Sequence, residues 1–187
     1  MNPVADYMPE LLGQLQQPGL APDAALRLLT EAAEAYPTDP RSMVLLAAEC
    51  MQQGDADRAE AIYGTVLQHA PGFAIARFQL GLLQFTSGRP VTALATWAPL
   101  DDLAEEDCLR LFKRAFEHLA RDGFAEAQAL LQRGIAANTS NPPLNRDMQM
   151  LVERIAPQVA KRDAESAGEQ AAAEEAHFLL SAYRNRH

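Results

Sequence analysis

The sequence has few aromatic residues and no long hydrophobic run. Aromatic side chains make up 6% of the 187 residues, although 48% of the residues are hydrophobic. Alanine and leucine supply much of this apolar content, which favours helix over sheet. No segment approaches the roughly 18 consecutive apolar residues that a membrane-spanning helix requires. We therefore expect a helical protein that does not insert into a membrane.

Positive charge and cysteine are also scarce. The chain has 16 lysine and arginine residues against 25 aspartate and glutamate residues, and its formal net charge is −9. Nucleic acid and anionic membrane surfaces are poor partners for such a chain, because both require a basic footprint. The N-terminal segment lacks the basic and apolar regions of a signal peptide. Cys50 and Cys108 are predicted to be buried thiols of a reducing compartment, and we expect a cytoplasmic location.

Catalytic and metal-binding patterns are missing from the sequence as well. The four histidines are scattered, and no phosphate-binding glycine loop, nucleophile elbow or metal-ligand spacing occurs. The acidic residues between Asp101 and Asp107 lack the ligand spacing of a calcium loop and are better suited to capping a helix. We therefore predict no enzymatic activity, no cofactor and no metal.

A 34-residue repeat is present instead. An alanine recurs at this interval, a large apolar residue follows it four positions later, and a small residue precedes it by twelve. Small residues let two antiparallel helices approach closely, while the large residue fills the adjacent space; turn glycines and helix-ending prolines recur at the same interval. The repeated alanines are Ala25, Ala59, Ala93 and Ala127. The large residues are Leu29, Tyr63, Trp97 and Leu131, and the small residues are Gly13, Ala47, Gly81 and Ala115.

This pattern resembles that of the tetratricopeptide repeat (TPR) family. The resemblance implies an all-α fold, a TPR-type right-handed superhelix of antiparallel helix pairs with C-terminal capping helices. It predicts four hairpins over 1–141, the first an atypical cap, a solvating helix over 142–156, and a charged linker with an apolar tail helix over 157–187. The best-matching repeat, 40–73, carries the family pattern at Leu46, Ala47, Gly54, Ala59, Tyr63 and Pro71.

The fourth repeat departs from the family pattern. Arg114 stands where a leucine is expected, and Gly123 is displaced by one residue from the expected turn position. The register of this hairpin is therefore open at the level of sequence.

In TPR proteins the first helix of each pair lines a concave groove, so the resemblance also implies a partner-binding site. The implied groove is apolar and lacks the lysines and asparagines that would clamp an acidic chain terminus. It suits an amphipathic helix or an apolar peptide. Packing inside the repeat core is the alternative for several of its residues. The groove residues are Val44, Ala48, Met51, Ile75, Phe78, Leu82, Phe85, Leu109, Phe112 and Phe116.

The C-terminal segment offers a second binding element. Phe178, Leu179 and Tyr183 have the spacing of one helix face and follow a polar, alanine-rich linker. We expect this face to dock, either in the protein's own groove or in the groove of a second copy, where it would form a homodimer.

Together these features predict a non-catalytic protein–protein interaction module in a bacterial cytoplasm, acting as a secretion chaperone or an assembly factor. One specific form is a resemblance to the small acidic TPR chaperones of type III secretion systems. Two alternatives remain open: a self-associating scaffold whose C-terminal helix fills a groove, and an accessory subunit of an enzyme complex.

Overall fold

The protein is helical throughout the part that the structure describes. The computed structural model covers the backbone of residues 6–184 and, within that range, all side chains except those of residues 163, 166 and 168–184. No strand occurs in this range. The described helices are α1 (Met8–Leu15), α2 (Pro22–Ala35), α3 (Pro40–Gln52), α4 (Ala56–His69), α5 (Ala74–Thr86), α6 (Pro90–Trp97), a short 3₁₀ helix (Ala98–Asp102), α7 (Cys108–Leu119), α8 (Phe124–Ala137) and α9 (Pro142–Arg184).

The helices form two compact units, which we call unit 1 (Met1–Asp102) and unit 2 (Leu103–His187). In unit 1, each helix from α1 to α6 packs against the next helix along the chain. In unit 2, α8 packs against both α7 and α9. Packing between sequence neighbours is the arrangement expected of helical hairpin repeats, because a single hairpin cannot bury its faces alone.

The predicted contact between a small and a large residue is present in the α5–α6 hairpin, and the repeated alanines of the three later hairpins are buried. Ala59, Ala93 and Ala127 are all completely buried. In the α5–α6 hairpin, Trp97 is also completely buried and lies so close to Gly81 that a Cβ atom on the glycine would overlap the indole. The glycine thus creates the space that the tryptophan fills.

The turns of the three later hairpins share one backbone geometry. In each, an amide donates to the carbonyl five residues earlier, which closes the helix end in the manner of a Schellman motif. The residue before that amide has a positive φ: 80° at Gly54, 77° at Gly88 and 56° at Asp122. Asp122 therefore occupies the turn-glycine position, and the displaced Gly123 does not shift the register of the fourth hairpin. The bonds are Asp55 to Cys50 (2.9 Å), Arg89 to Gln84 (2.9 Å) and Gly123 to His118 (2.8 Å).

The first hairpin differs from the predicted pattern. Leu12 is 38% exposed, and Gly13 has no atom within 4 Å of the position that a Cβ would occupy. Residues 16–21 connect α1 to α2, whereas only residues 53–55 connect α3 to α4. Because of this longer connection α1 does not keep the register of the other first helices, and it buries Met8 and Leu11 instead.

The C-terminal region is a single helix rather than the two predicted segments. The structure assigns α9 without interruption from Pro142 to Arg184, and Pro157 lies inside it. Its first part packs through a regularly spaced apolar face, and Arg162 still lies over the ring of Phe124 at the start of α8, 5.4 Å from its centroid. The buried residues of that face are Leu144, Met148, Val152 and Ile155.

A buried asparagine organises the turn that leads into α9. Asn138 is 5% exposed, and its amide nitrogen donates to the Asn141 carbonyl at 2.9 Å and to Asn145 Oδ1 at 2.8 Å. Its side-chain oxygen accepts from the Asn141 amide at 3.1 Å. Asn141 in turn accepts from the Leu144 amide at 3.2 Å, which caps the first turn of α9.

Candidate functional site

Three of the predicted groove phenylalanines belong to the core. Phe78 and Phe112 are completely buried and Phe116 is 3% exposed. The ring of Phe78 stacks on Trp97 with 5.8 Å between ring centroids, and a Cβ at Gly134 would overlap the ring of Phe112. The expectation that these three side chains line an accessible surface is therefore corrected: Gly134 on the facing helix leaves room for the Phe112 ring, and Phe78 packs against Trp97.

The remaining groove positions of unit 1 stay partly accessible. Val44 and Ala48 are half-buried on α3, where Met51 is 37% exposed. Helix α4 packs against both α3 and α5. The α3–α5 face, as we call this set, consists of Val44, Ala48 and Met51 on α3 with Ile75, Leu82 and Phe85 on α5, the last three being half-buried.

Two other sets of predicted site residues have separate positions. Leu109 is half-buried on α7, which belongs to unit 2 rather than to unit 1. Phe178, Leu179 and Tyr183 lie on the helical backbone of α9, but their side chains are outside the described residues. Their predicted docking therefore remains a prediction.

Unit 1 carries most of the net negative charge of the protein. It contains 12 aspartate and glutamate residues and five arginines, and it has no lysine. Arg77 donates to the carbonyls of Pro71 at 2.7 Å and Thr96 at 3.3 Å, so its cation is engaged within the unit. Arg89 makes two bonds to Glu60, at 2.9 and 2.7 Å, and these hold the pKa of the Glu60 carboxyl below its usual range.

A charged and aromatic cluster ties the start of α1 to the start of α3. The rings of Tyr7 and Tyr36 stack at 3.8 Å between centroids, and the Arg41 guanidinium lies 5.7 Å from the Tyr7 centroid. Arg41 also pairs with Asp6 at 3.0 Å and with Asp39 at 2.7 Å. Hydrogen bonds from Arg41 are the main reason that the pKa values of both carboxyl groups are lowered.

Between α1 and α2 lies a crevice that the sequence did not predict. Its volume is 240 Å³, which is below the roughly 300–1,000 Å³ of sites for small-molecule ligands. Glu10 and Glu31 are exposed at this crevice, and neither has an ion-pair partner among residues 6–162. In the sequence this hairpin differs from the α3–α4 hairpin in its longer connection, residues 16–21. The α1–α2 crevice is lined by Tyr7, Glu10, Leu11, Gln14, Leu28, Glu31, Ala32 and Ala35.

A second, larger hollow lies on the first turns of α9. Its volume is 470 Å³, and Met150 beside it is 58% exposed. Burial raises the pKa of the Asp147 carboxyl at this position, while Arg146 opposes the shift. The lining residues are Pro143, Arg146, Asp147, Gln149 and Met150.

The two cysteine thiols are poorly suited to nucleophilic chemistry. Burial raises the pKa values of the Cys50 and Cys108 thiols, which disfavours the nucleophilic thiolate form. Across the described residues no group of three or more histidine, cysteine, aspartate or glutamate side chains is arranged to hold a metal ion. None of the described helices is long and apolar enough to cross a membrane.

The helices and turns above define an all-α protein of the TPR-type helical repeat class. Among solved structures the chain is similar to MamA 41-end from Desulfovibrio magneticus RS-1, with 15% identity, a TM-score of 0.50, and coverage of 85% of this chain and 94% of that chain. A MamA RS-1 ArsTM double mutant matches with 16% identity, a TM-score of 0.52 and 87% of each chain covered. At such identities the likeness concerns the fold alone. No family model matches the chain, and no curated protein matches it by sequence.

Proposed function

We propose that this protein is a non-catalytic protein-binding module that holds an apolar helix or peptide of another protein against the α3–α5 face. The observation that carries the proposal is the set of apolar side chains left accessible after the buried phenylalanines are assigned to the core. Ala48 and Met51 recur 34 residues later as Leu82 and Phe85, so two successive repeats offer the same apolar positions.

The energetics of this face favour a partner with a few large apolar side chains. Burying one such side chain contributes about 1.5–3 kcal/mol. Two or three anchors could therefore support binding even after the cost of ordering the bound segment is subtracted. Met51 is the most accessible of the six residues and is the expected centre of contact.

The net negative charge of unit 1 limits the kinds of protein segment that would bind the α3–α5 face. Unit 1 has 12 acidic residues and five arginines, and Arg41, Arg77 and Arg89 are engaged in the contacts described above. An acidic chain terminus would be repelled, whereas a neutral or basic amphipathic segment would be attracted. Stacked helical repeats commonly present such binding surfaces. As part of this proposal, the module acts in a bacterial cytoplasm as a secretion chaperone or assembly factor.

Site-specific photo-crosslinking tests this proposal. A photoreactive residue at Met51 is expected to capture one protein in the native cells, whereas the same residue at Val91 is not. Val91 is a matched control because it is apolar, lies in the same unit on α6 and is 79% exposed. Equal capture at both positions, or capture at Val91 alone, would contradict the proposed face.

A further inference from the structure

The α1–α2 crevice combines an apolar floor with a carboxylate on each wall. Leu11 is 6% exposed, and Leu28 and Ala32 also line the crevice and are half-buried. Glu10 belongs to the α1 wall and Glu31 to the α2 wall, and both side chains are exposed. A group that fills this crevice must therefore be apolar along the floor and positive where it meets the carboxylates.

The two carboxylates are not neutralised by a cation of unit 1. Arg27 precedes Glu31 by one turn of α2, but the two side chains make no ion pair within residues 6–162, and Arg27 does not line the crevice. Arg41 is engaged by Asp6 and Asp39. The crevice therefore keeps two negative charges, and a cation placed between them is attracted by both.

The size of the crevice suits one long side chain better than a cofactor, because its volume is only 240 Å³. Lysine and arginine have the required chemistry, since their aliphatic stems cover apolar surface while the charged head stays in water. Gln14 is half-buried in the crevice lining, and its side-chain amide makes no hydrogen bond within residues 6–162. This amide offers both donors and an acceptor to a peptide backbone. We infer that the α1–α2 crevice is a second protein-binding site, which takes one lysine or arginine side chain of a partner protein.

This site shares no residue with the α3–α5 face and goes beyond the proposed function. The stem of the bound side chain lies on the floor formed by Leu11 and Leu28, and its charged head lies between Glu10 and Glu31. Because exposed charge pairs are screened by salt, binding should weaken as ionic strength rises. Photo-crosslinking at Met51 tests the α3–α5 face and does not depend on the crevice.

Amide chemical shifts of the full-length chain test the site with the peptide acetyl-Ala-Ala-Lys-Ala-Ala-amide. The peptide should shift resonances of α1 and α2 rather than those of α5. Norleucine in place of its lysine keeps the stem without the charge and should weaken binding about tenfold or more. Glu10→Gln with Glu31→Gln should do the same. Glu34→Gln is the matched control and should bind normally, since Glu34 is exposed on α2 but does not line the crevice. Equal binding of both peptides, or shifts confined to other helices, would overturn the inference.

Carbodiimide coupling then identifies the occupant, because it joins a carboxylate to an amine that contacts it. With the lysine peptide present, mass spectrometry should find the new amide at Glu10 or Glu31 and not at Glu34. Equal coupling at Glu34 would contradict a specific site. The protein has two lysines of its own, Lys113 and Lys161. If either couples to a crevice carboxylate without the peptide, the crevice is filled by this chain or by a second copy, and the inference is wrong.

Discussion

Trp97 and Gly81 occupy one closely packed position between α5 and α6. The indole nitrogen of Trp97 donates to the Phe78 carbonyl at 2.9 Å, which fixes the ring in the space that a side chain at Gly81 would take. The tryptophan is completely buried and also stacks on Phe85, with 5.9 Å between ring centroids. One glycine thus positions both a core residue and a member of the α3–α5 face.

Replacing Gly81 with alanine should destabilise the protein. The added methyl group would overlap the indole, and overpacking of a filled core typically costs about 1–3 kcal/mol. Gly64→Ala is the matched control, because Gly64 lies inside α4 with nothing near the position of a Cβ. That change should stabilise the protein by about 0.5–1 kcal/mol. Thermal unfolding measures both; equal shifts in the two midpoints would contradict the close contact.

Replacing Asp122 with glycine should stabilise the turn between α7 and α8. Asp122 has φ 56°, a conformation that glycine adopts without steric cost. We expect a gain of about 0.5–1 kcal/mol in the free energy of unfolding, because the left-handed conformation costs a residue with a Cβ about 1–2 kcal/mol and the greater freedom of glycine in the unfolded chain cancels only part of that cost. The reciprocal control is Gly88→Ala, which should lower stability because Gly88 has φ 77°. A loss of stability in the Asp122 variant would show that its side chain contributes more than its backbone strain costs.

The start of α1 should loosen in acid. Asp6 and Asp39 have lowered pKa values in the folded protein, so the folded state binds fewer protons than the unfolded chain near their ordinary pKa of 3.8. Their stabilising contribution is complete above that pH and is lost as the pH falls through the lower folded values. Tyrosine near-ultraviolet circular dichroism should report the loss through the Tyr7–Tyr36 stack.

The matching variant for this acid transition is Arg41→Gln, because Arg41 is the main cause of both lowered pKa values. The variant should lack the part of the transition that depends on these carboxyl groups. The Glu60–Arg89 pair is retained in both proteins, so the difference between the two titrations isolates the α1 cluster. Superimposable titrations would contradict this assignment.

Removing the side-chain amide of Asn138 should destabilise unit 2. Asn138→Ala leaves the Asn141 amide and Asn145 Oδ1 without their partner, although the Asn145 amide nitrogen keeps its bond to the Asn138 backbone carbonyl. A lost partner of this kind costs about 1–3 kcal/mol when the group is buried. Thr139→Ala is the control, because Thr139 is adjacent and exposed. Chemical denaturation followed by helical circular dichroism measures the difference. An effect no larger than that of the control would mean that water replaces these bonds.

The hairpin architecture was predictable because it depends on residue size at a fixed interval. Ala59 and Ala93 are 34 residues apart and are both completely buried, and helix-capping residues such as Asp107 lie where the acidic run predicted a cap. The register of the fourth hairpin was not predictable. It required knowledge that Asp122 adopts the glycine-like backbone conformation.

The candidate site was less predictable. A position in the repeat indicates on which face of a helix a side chain lies, but not how deeply that side chain is buried. Phe112 was expected in a groove, yet Gly134 on α8 leaves room for its ring inside. Met51 has no such counterpart and stays accessible at 37%. The α1–α2 crevice lies in the hairpin with the longer connection, residues 16–21. The 34-residue pattern could not predict it, because that pattern describes only the positions that the repeats share.

The affinity of the protein that is captured at Met51 tests the central claim most directly. Its dissociation constant should be measured for the unmodified chain, for Ala48→Asp with Met51→Asp, and for Val91→Asp, with thermal unfolding as a check on folding. We predict that the double variant binds at least tenfold more weakly, because charge replaces apolar contact on the α3–α5 face, while the Val91 variant binds normally. Unchanged affinity in a correctly folded double variant would contradict binding at this face.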